Sequence, residues 1–240
     1  MTFSKRILIQ WLPEPASEPT STYVLHTPGD HFVDIRILET HYPYPKSEDK
    51  FNEVFDWVSS GKEQAFEGTN QIQFNLEIDS MEIGEAIETG KPLEECRHKP
   101  DSGFFHAIPD SEDRKETGCM TNPATGVPQD YIEIWRSLDA EEHSPSKEVR
   151  ESTSGTKPSR INTLTIDSES YEGKLVLVGN WAQGMLHEKK THNIHVVRAW
   201  FDGQKWEKLI DYGHDLFPLD FKGKKDDIIS KESLTWVCIE

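Results

Sequence analysis

Cys119-Met120-Thr121-Asn122-Pro123-Ala124-Thr125-Gly126-Val127-Pro128-Gln129-Asp130-Tyr131-Ile132-Glu133-Ile134-Trp135 reads as a turn feeding a strand. Asn122-Pro123 and Gly126 carry turn chemistry. From Tyr131 onward the chain alternates, with Tyr131, Glu133 and Trp135 on one face and Ile132 and Ile134 on the other. Aromatic rings and a carboxylate sharing a strand face suit the wall of a cavity. Working outward, runs of the same kind recur at 6–12, 22–27, 32–38, 71–79, 103–108, 161–166, 174–178, 193–201, 205–210 and 234–239, rich in Val, Ile, Thr and aromatics. Gly and Pro punctuate them. Helical periodicity is scarce, with 48–58 and 80–88 as the best candidates. The expected class is all-β and antiparallel with few short helices.

A chain of 240 residues can bury a sizeable core as one large or two small domains. Lys and Arg total 26 against 43 Asp and Glu, a formal net charge of −17. That balance repels phosphate backbones and anionic membranes, so neither nucleic acid nor a membrane is expected as a partner. The excess acid reads first as a solvated surface. Cys96, Cys119 and Cys238 stand far apart with no C-x-x-C spacing, which signals neither a disulfide framework nor a zinc module. No apolar run is long enough to span a bilayer, and Met1 to Arg6 leads into the strand-like 7–12 without a secretory signal pattern. A reducing, cytoplasmic setting is the expectation.

The stretch 139–159 is polar, Ser-rich and nearly free of apolar residues, which marks a linker or long loop. It divides the chain into 1–138, a first β-barrel domain with a ligand cavity, and 160–240, a second and smaller β-barrel domain. A further polar excursion at 89–102 reads as a surface loop on the first domain. In the second part Trp181, Gln183 and Met185 share a face and Leu175 and Leu177 oppose Val176 and Val178, the pattern of a packed barrel core. Any site is therefore expected in the first part.

Strand 32–38 puts Phe32, Asp34, Arg36 and Leu38 on one face and Val33, Ile35 and Ile37 on the other. With the Asp34 face inward, an Arg and two carboxylates meet among aromatics. With the Val33 face inward, Asp34 and Arg36 form a surface pair. Alternation alone does not label inside and outside, and the surface or structural-network reading is favoured. His192 and His195 project to opposite faces of an expected strand, and no zinc-type His spacing accompanies them, so no metal is expected. Nucleophile elbows, phosphate loops and dinucleotide fingerprints are missing too, so no cofactor is expected.

Several segments resemble the Hri-type fungal family. The opening stretch is similar to its Asn-Pro-x-Thr-Gly turn and Asp-Tyr-x-Glu-x-Trp strand. Phe32-Val33-Asp34-Ile35-Arg36, Ala65-Phe66-Glu67-Gly68-Thr69 and Asp79-Ser80 resemble further family segments. So do Tyr171 to Gly184 and Leu234 to Glu240. The chain departs from the pattern at Gln64, where the family usually has Trp, at Ile132, where it has an acidic residue, and at 46–63, which looks like an insertion. The resemblance implies two lipocalin-like or calycin-like β-barrels in one chain.

Such paired barrels resemble those of fungal enzymes that close rings without a cofactor. That likeness implies a cyclase or pericyclase of the Diels-Alder type acting on an apolar biosynthetic intermediate. Arg36 and Tyr131 would polarise an oxygen as charge develops, and Glu133 would orient Arg36 or act as a base. Asp34, Trp57, Phe66, Phe74, Phe104, His106 and Trp135 are the expected ligand contacts. A non-catalytic binder of an apolar metabolite uses the same cavity. The family resemblance also allows an interaction protein with a protein kinase as partner, docking through 139–159.

Overall fold

Eight antiparallel strands close on themselves in the first part of the chain: β1 (Phe3–Trp11), β2 (Thr20–His26), β3 (His31–Leu38), β4 (Phe55–Ala65), β5 (Gln71–Asp79), β6 (Asp101–Ala107), β7 (Arg114–Thr121) and β8 (Pro128–Ser137). The ring is sealed where β8 returns to β1, with Arg6 opposite Trp135 and Ile9 opposite Glu133. This computed structural model describes residues 3–44, 46–122, 124–151 and 157–240. Among the described residues no helix is long and apolar enough to cross a membrane.

The second part is a seven-stranded sheet rather than a second barrel. Its strands are β9 (Ile161–Asp167), β10 (Tyr171–Val178), β11 (Trp181–Glu188), β12 (Ile194–Phe201), β13 (Trp206–Tyr212), β14 (Ile228–Lys231) and β15 (Leu234–Cys238), in the order β13-β12-β11-β10-β9-β15-β14. Closure is unnecessary because both faces of its centre are covered. Val176, Val178, Trp181 and Met185 pack against the outer wall of the barrel, where they meet Phe3, Tyr23, Leu25, Val33, Ile35 and Ile37. Leu175, Leu177, Ala182 and Leu186 form a second core with Phe217, Phe221 and Trp236. The apolar periodicity expected to fill a barrel fills two sandwich layers instead.

Polar side chains also cross the first of these layers. Gln183 Nε2 donates to the carbonyls of Tyr23 and Val33, each at 2.9 Å. Arg198, fully buried, donates to the Ile35 carbonyl at 2.8 Å, to the Ser21 carbonyl at 3.2 Å and to Gln183 Oε1 at 2.7 Å. Its guanidinium lies 4.5 Å from the Tyr23 ring centre. Lys174 reaches Gly61 O at 2.7 Å and Glu77 at 2.8 Å.

Three local expectations need correction. The helix expected at 48–58 is confined to α1 (Phe51–Val54), because Phe55, Trp57 and Val58 pair with β3 around a bulge at Asp56. The supposed insertion at 46–63 therefore supplies a stave of the barrel. The stretch 139–159 is not a free tether over its described part. Ala140 and His143 are buried, and Trp181 Nε1 donates to His143 O at 3.1 Å. Residues 152–156, which include part of the serine-rich docking segment, lie outside the described residues. The other helix, α2 (Ser80–Thr89), follows the expectation for 80–88 and starts on an Asp79 cap to Met81 N at 2.8 Å.

Candidate functional site

The outer face of β3 is claimed by the sheet, so its alternate face turns into the barrel. Phe32, Asp34 and Arg36 line the cavity, whereas Val33, Ile35 and Ile37 are fully buried against the sheet. Of the surface or structural-network reading favoured for Asp34 and Arg36, the surface half is overturned, since they are only 6% and 7% exposed, and the network half stands. On β8 the same logic turns Tyr131, Glu133 and Trp135 inward. The interior holds a cavity of about 80 Å³ that opens in part to solvent.

A buried ionic network forms one wall. Arg6 donates from Nη1 to Glu133 Oε1 at 2.6 Å and from Nε to Glu18 Oε2 at 2.8 Å. Arg36 donates from Nε to Asp34 Oδ2 at 2.9 Å and from Nη1 to Glu133 Oε1 at 3.4 Å. Its guanidinium lies 4.3 Å from the Trp57 ring centre, and Trp57 Nε1 donates to Asp79 Oδ1 at 2.7 Å. Burial disfavours the Arg36 charge, but Asp34 and Glu133 outweigh it and hold the pKa above the ordinary value. For Asp34 burial wins, and the carboxyl sits above its usual range despite Arg36.

Beside this network, across the β7–β8 pair, lies a neutral hydrogen-bond cluster centred on Glu116. Tyr131 Oη donates to its Oε1 at 2.9 Å and Trp135 Nε1 to its Oε2 at 2.8 Å. Burial, reinforced by the neighbouring Glu133 charge, pushes Glu116 up to about 8. Burial and the Glu116 carboxyl together raise the Tyr131 phenol. Two glycines make room for this cluster. A Cβ at Gly103 would stand 2.1 Å from Glu116 Oε1, and one at Gly118 would stand 2.5 Å from the Tyr131 hydroxyl.

The cavity brings together seven of the ten expected site residues: Arg36, Tyr131, Glu133, Asp34, Trp57, Phe74 and Trp135. Phe66, Phe104 and His106 do not join them. Phe66 belongs to the turn after β4, and β6 turns Phe104 and His106 to solvent while Phe105 faces in. Sequence reasoning missed Arg6, Glu116 and Arg114. Their signal was the register: Arg6 and Arg114 both lie opposite Trp135, and Glu116 lies opposite Glu133.

Outside the cavity, Asp79, Glu82 and His98 bring one potential ligand atom each within 4.8 Å of one another. Their acids are already engaged. Glu82 receives Arg97 Nη1 and the His98 amide, both at 2.7 Å, while Asp79 Oδ1 caps α2 and receives Trp57. This cluster fastens the helix start. His192 sits in the turn before β12 rather than on the expected strand, with its Nδ1 3.1 Å from His187 Nε2.

Comparison with known proteins gives the same architecture a lineage. A relative from Kluyveromyces lactis, Protein HRI1, is 25% identical over 260 residues, spanning 100% of this chain and 98% of its own length. Protein HRI1 of Saccharomyces cerevisiae is 24% identical, covering 98% and 97% of the two chains. The crystal structure of an uncharacterized Saccharomyces cerevisiae protein shares the fold with a TM-score of 0.75 at 23% identity, over 99% of this chain and 97% of that one. The family profile described as Protein HRI1 matches residues 2–240, and the chain belongs to that family.

Proposed function

We propose that this protein binds a small molecule inside its barrel, an apolar or aromatic body with one polar end. The observation that carries this reading is the inversion of the barrel. Its packed apolar core lies outside, under the sheet, while the interior keeps a cavity of about 80 Å³ between aromatic rings and a buried ionic network. A barrel that served only as scaffold would gain stability by filling that space with aliphatic side chains. Phe32, Phe74, Phe105, Trp57, Trp135 and Tyr131 offer contact area at low conformational cost, and the charged wall orients whatever enters.

Binding is favoured over catalysis because each of the three expected catalytic groups is already committed to a partner within the protein. Arg36 is held by Asp34 and Glu133, Glu133 accepts from two guanidinium groups, and Tyr131 donates to Glu116. One observation favours a second reading, ring closure or isomerisation of the bound molecule. Glu116 retains a proton at neutral pH and is the acid that such chemistry needs.

Titration with the neutral apolar dye Nile red, followed by displacement with metabolite extract and mass spectrometry of bound and released compounds, tests both readings. Saturable uptake by wild type, lost when Leu76→Trp fills the cavity without lowering the melting temperature, is the expected result. Equal uptake by the filled variant removes the barrel site. Recovery of a rearranged compound that heat-killed protein does not produce replaces the binder by the enzyme.

A further inference from the structure

Resting on the small-molecule reading, we propose that the ligand of this cavity is a cationic amine whose nitrogen is received by Oδ1 of Asp34. Asp34 is buried, and its Oδ2 takes both contacts from Arg36, Nε and Nη2, each at 2.9 Å. Its Oδ1 makes no hydrogen bond to any described group. A buried carboxylate oxygen left without a donor is costly, which makes a donor-bearing guest the natural completion of the site.

The charge pattern points the same way. Arg6 and Arg36 face three carboxylates, Glu18, Glu133 and Asp34, so this ionic wall is one positive charge short of balance. A guest ammonium supplies that charge in a low-dielectric enclosure, where pairing is strongest. Aromatic faces suited to a cation stand beside it. Phe32, two residues before Asp34 on the same strand face, packs edge-on to Phe74 with ring centres 6.1 Å apart. Trp57 already stacks one cation, Arg36. Ser59, opposite Asp34 across the β3–β4 ladder, lines the cavity beside it with a small side chain.

An anionic guest has a weaker claim. Arg114 is the other cavity cation, and its Nε also bonds no described group, with the guanidinium 5.0 Å from the Phe105 ring centre. Its electrostatic neighbours are Glu63, Glu116 and Glu151. An anion at Arg114 would be opposed by Glu63 and Glu151.

The test uses three probes of nearly equal size on the full chain: 2-phenylethylamine, 2-phenylethanol and phenylacetate. Each is titrated by calorimetry and by displacement of Nile red. The amine is expected to bind about tenfold more tightly than the alcohol, as a charge-assisted hydrogen bond is stronger than a neutral one, and the carboxylate most weakly. Asp34→Asn, checked for an unchanged circular dichroism spectrum, is expected to erase the amine's advantage while alcohol binding persists. The wild-type series decides alone if that variant fails to fold. Phenylacetate binding as tightly as the amine, or Nile red bound with none of the probes displacing it, overturns the amine assignment and leaves the barrel site standing. Absence of saturable Nile red binding removes the barrel site and the amine assignment with it.

Discussion

Glu116 is a carboxylic acid held neutral by its enclosure, and the cost of that arrangement is legible in pH. Its ordinary value is 4.5 and in the folded chain it lies at about 8. Between these values the folded chain keeps a proton that the unfolded chain has lost, so Glu116 makes stability fall as pH rises through that interval. His31 and His143, both pushed down from 6.5 to about 4 by burial, act oppositely and only below 6.5, where unfolding takes up protons. In the window from 6.5 to about 8 Glu116 therefore acts without these histidines. Wild-type melting temperature should drop across it, and Glu116→Gln should flatten the drop. An equal drop in both proteins would mean that the proton resides elsewhere. None of this was visible in Arg114-Lys115-Glu116-Thr117-Gly118, a run whose polarity reads as surface until its register against β8 is known.

At the scale of the strand, legibility follows what each face touches. Strand β8 was readable because its aromatics alternate cleanly, and β10 because both faces are apolar. Strands β4 and β7 escaped because their inward residues include Ser59, Glu63, Arg114 and Glu116, which face a polar interior instead of a core. Strand β3 had the right periodicity but hid its orientation. Its apolar side faces outward in barrel terms and is nonetheless the driest surface of the strand. Arg198 fixes that orientation by bonding the Ile35 carbonyl, between the two cavity residues Asp34 and Arg36. Replacing Arg198 by Met abolishes its bonds to Ser21, Ile35 and Gln183 at once, at a cost of about 3 kcal/mol. Chemical denaturation should show a lower midpoint with an unchanged slope. A variant as stable as wild type would reduce Arg198 to a passenger.

Across the whole molecule, barrel and sheet share one apolar layer, so neither has a complete core alone. Trp181 is fully buried in that layer between Phe3 and Tyr23, with ring centres at 5.0 and 5.6 Å. Trp181→Ala should destabilise both parts together by about 3–5 kcal/mol. Barrel and sheet signals in hydrogen exchange should shift in parallel, and loss of protection confined to β9–β15 would reveal two independent units. The sequence-level division at 139–159 rested on its polarity. His143, ringed by Phe3, Tyr23 and Trp181, shows how one imidazole in a polar run can knit the two parts.

The Gln183 and Arg198 bonds to the backs of β2 and β3 have a hereditary consequence. Barrels that carry their own core can be cut out, fused and shuffled as free-standing cassettes. This one cannot be: its cavity wall is propped from behind by side chains encoded some 150 residues downstream of the groups they position. Drift in the sheet is therefore drift in the shape of the cavity, and relatives with identical cavity linings can differ in how those groups are set.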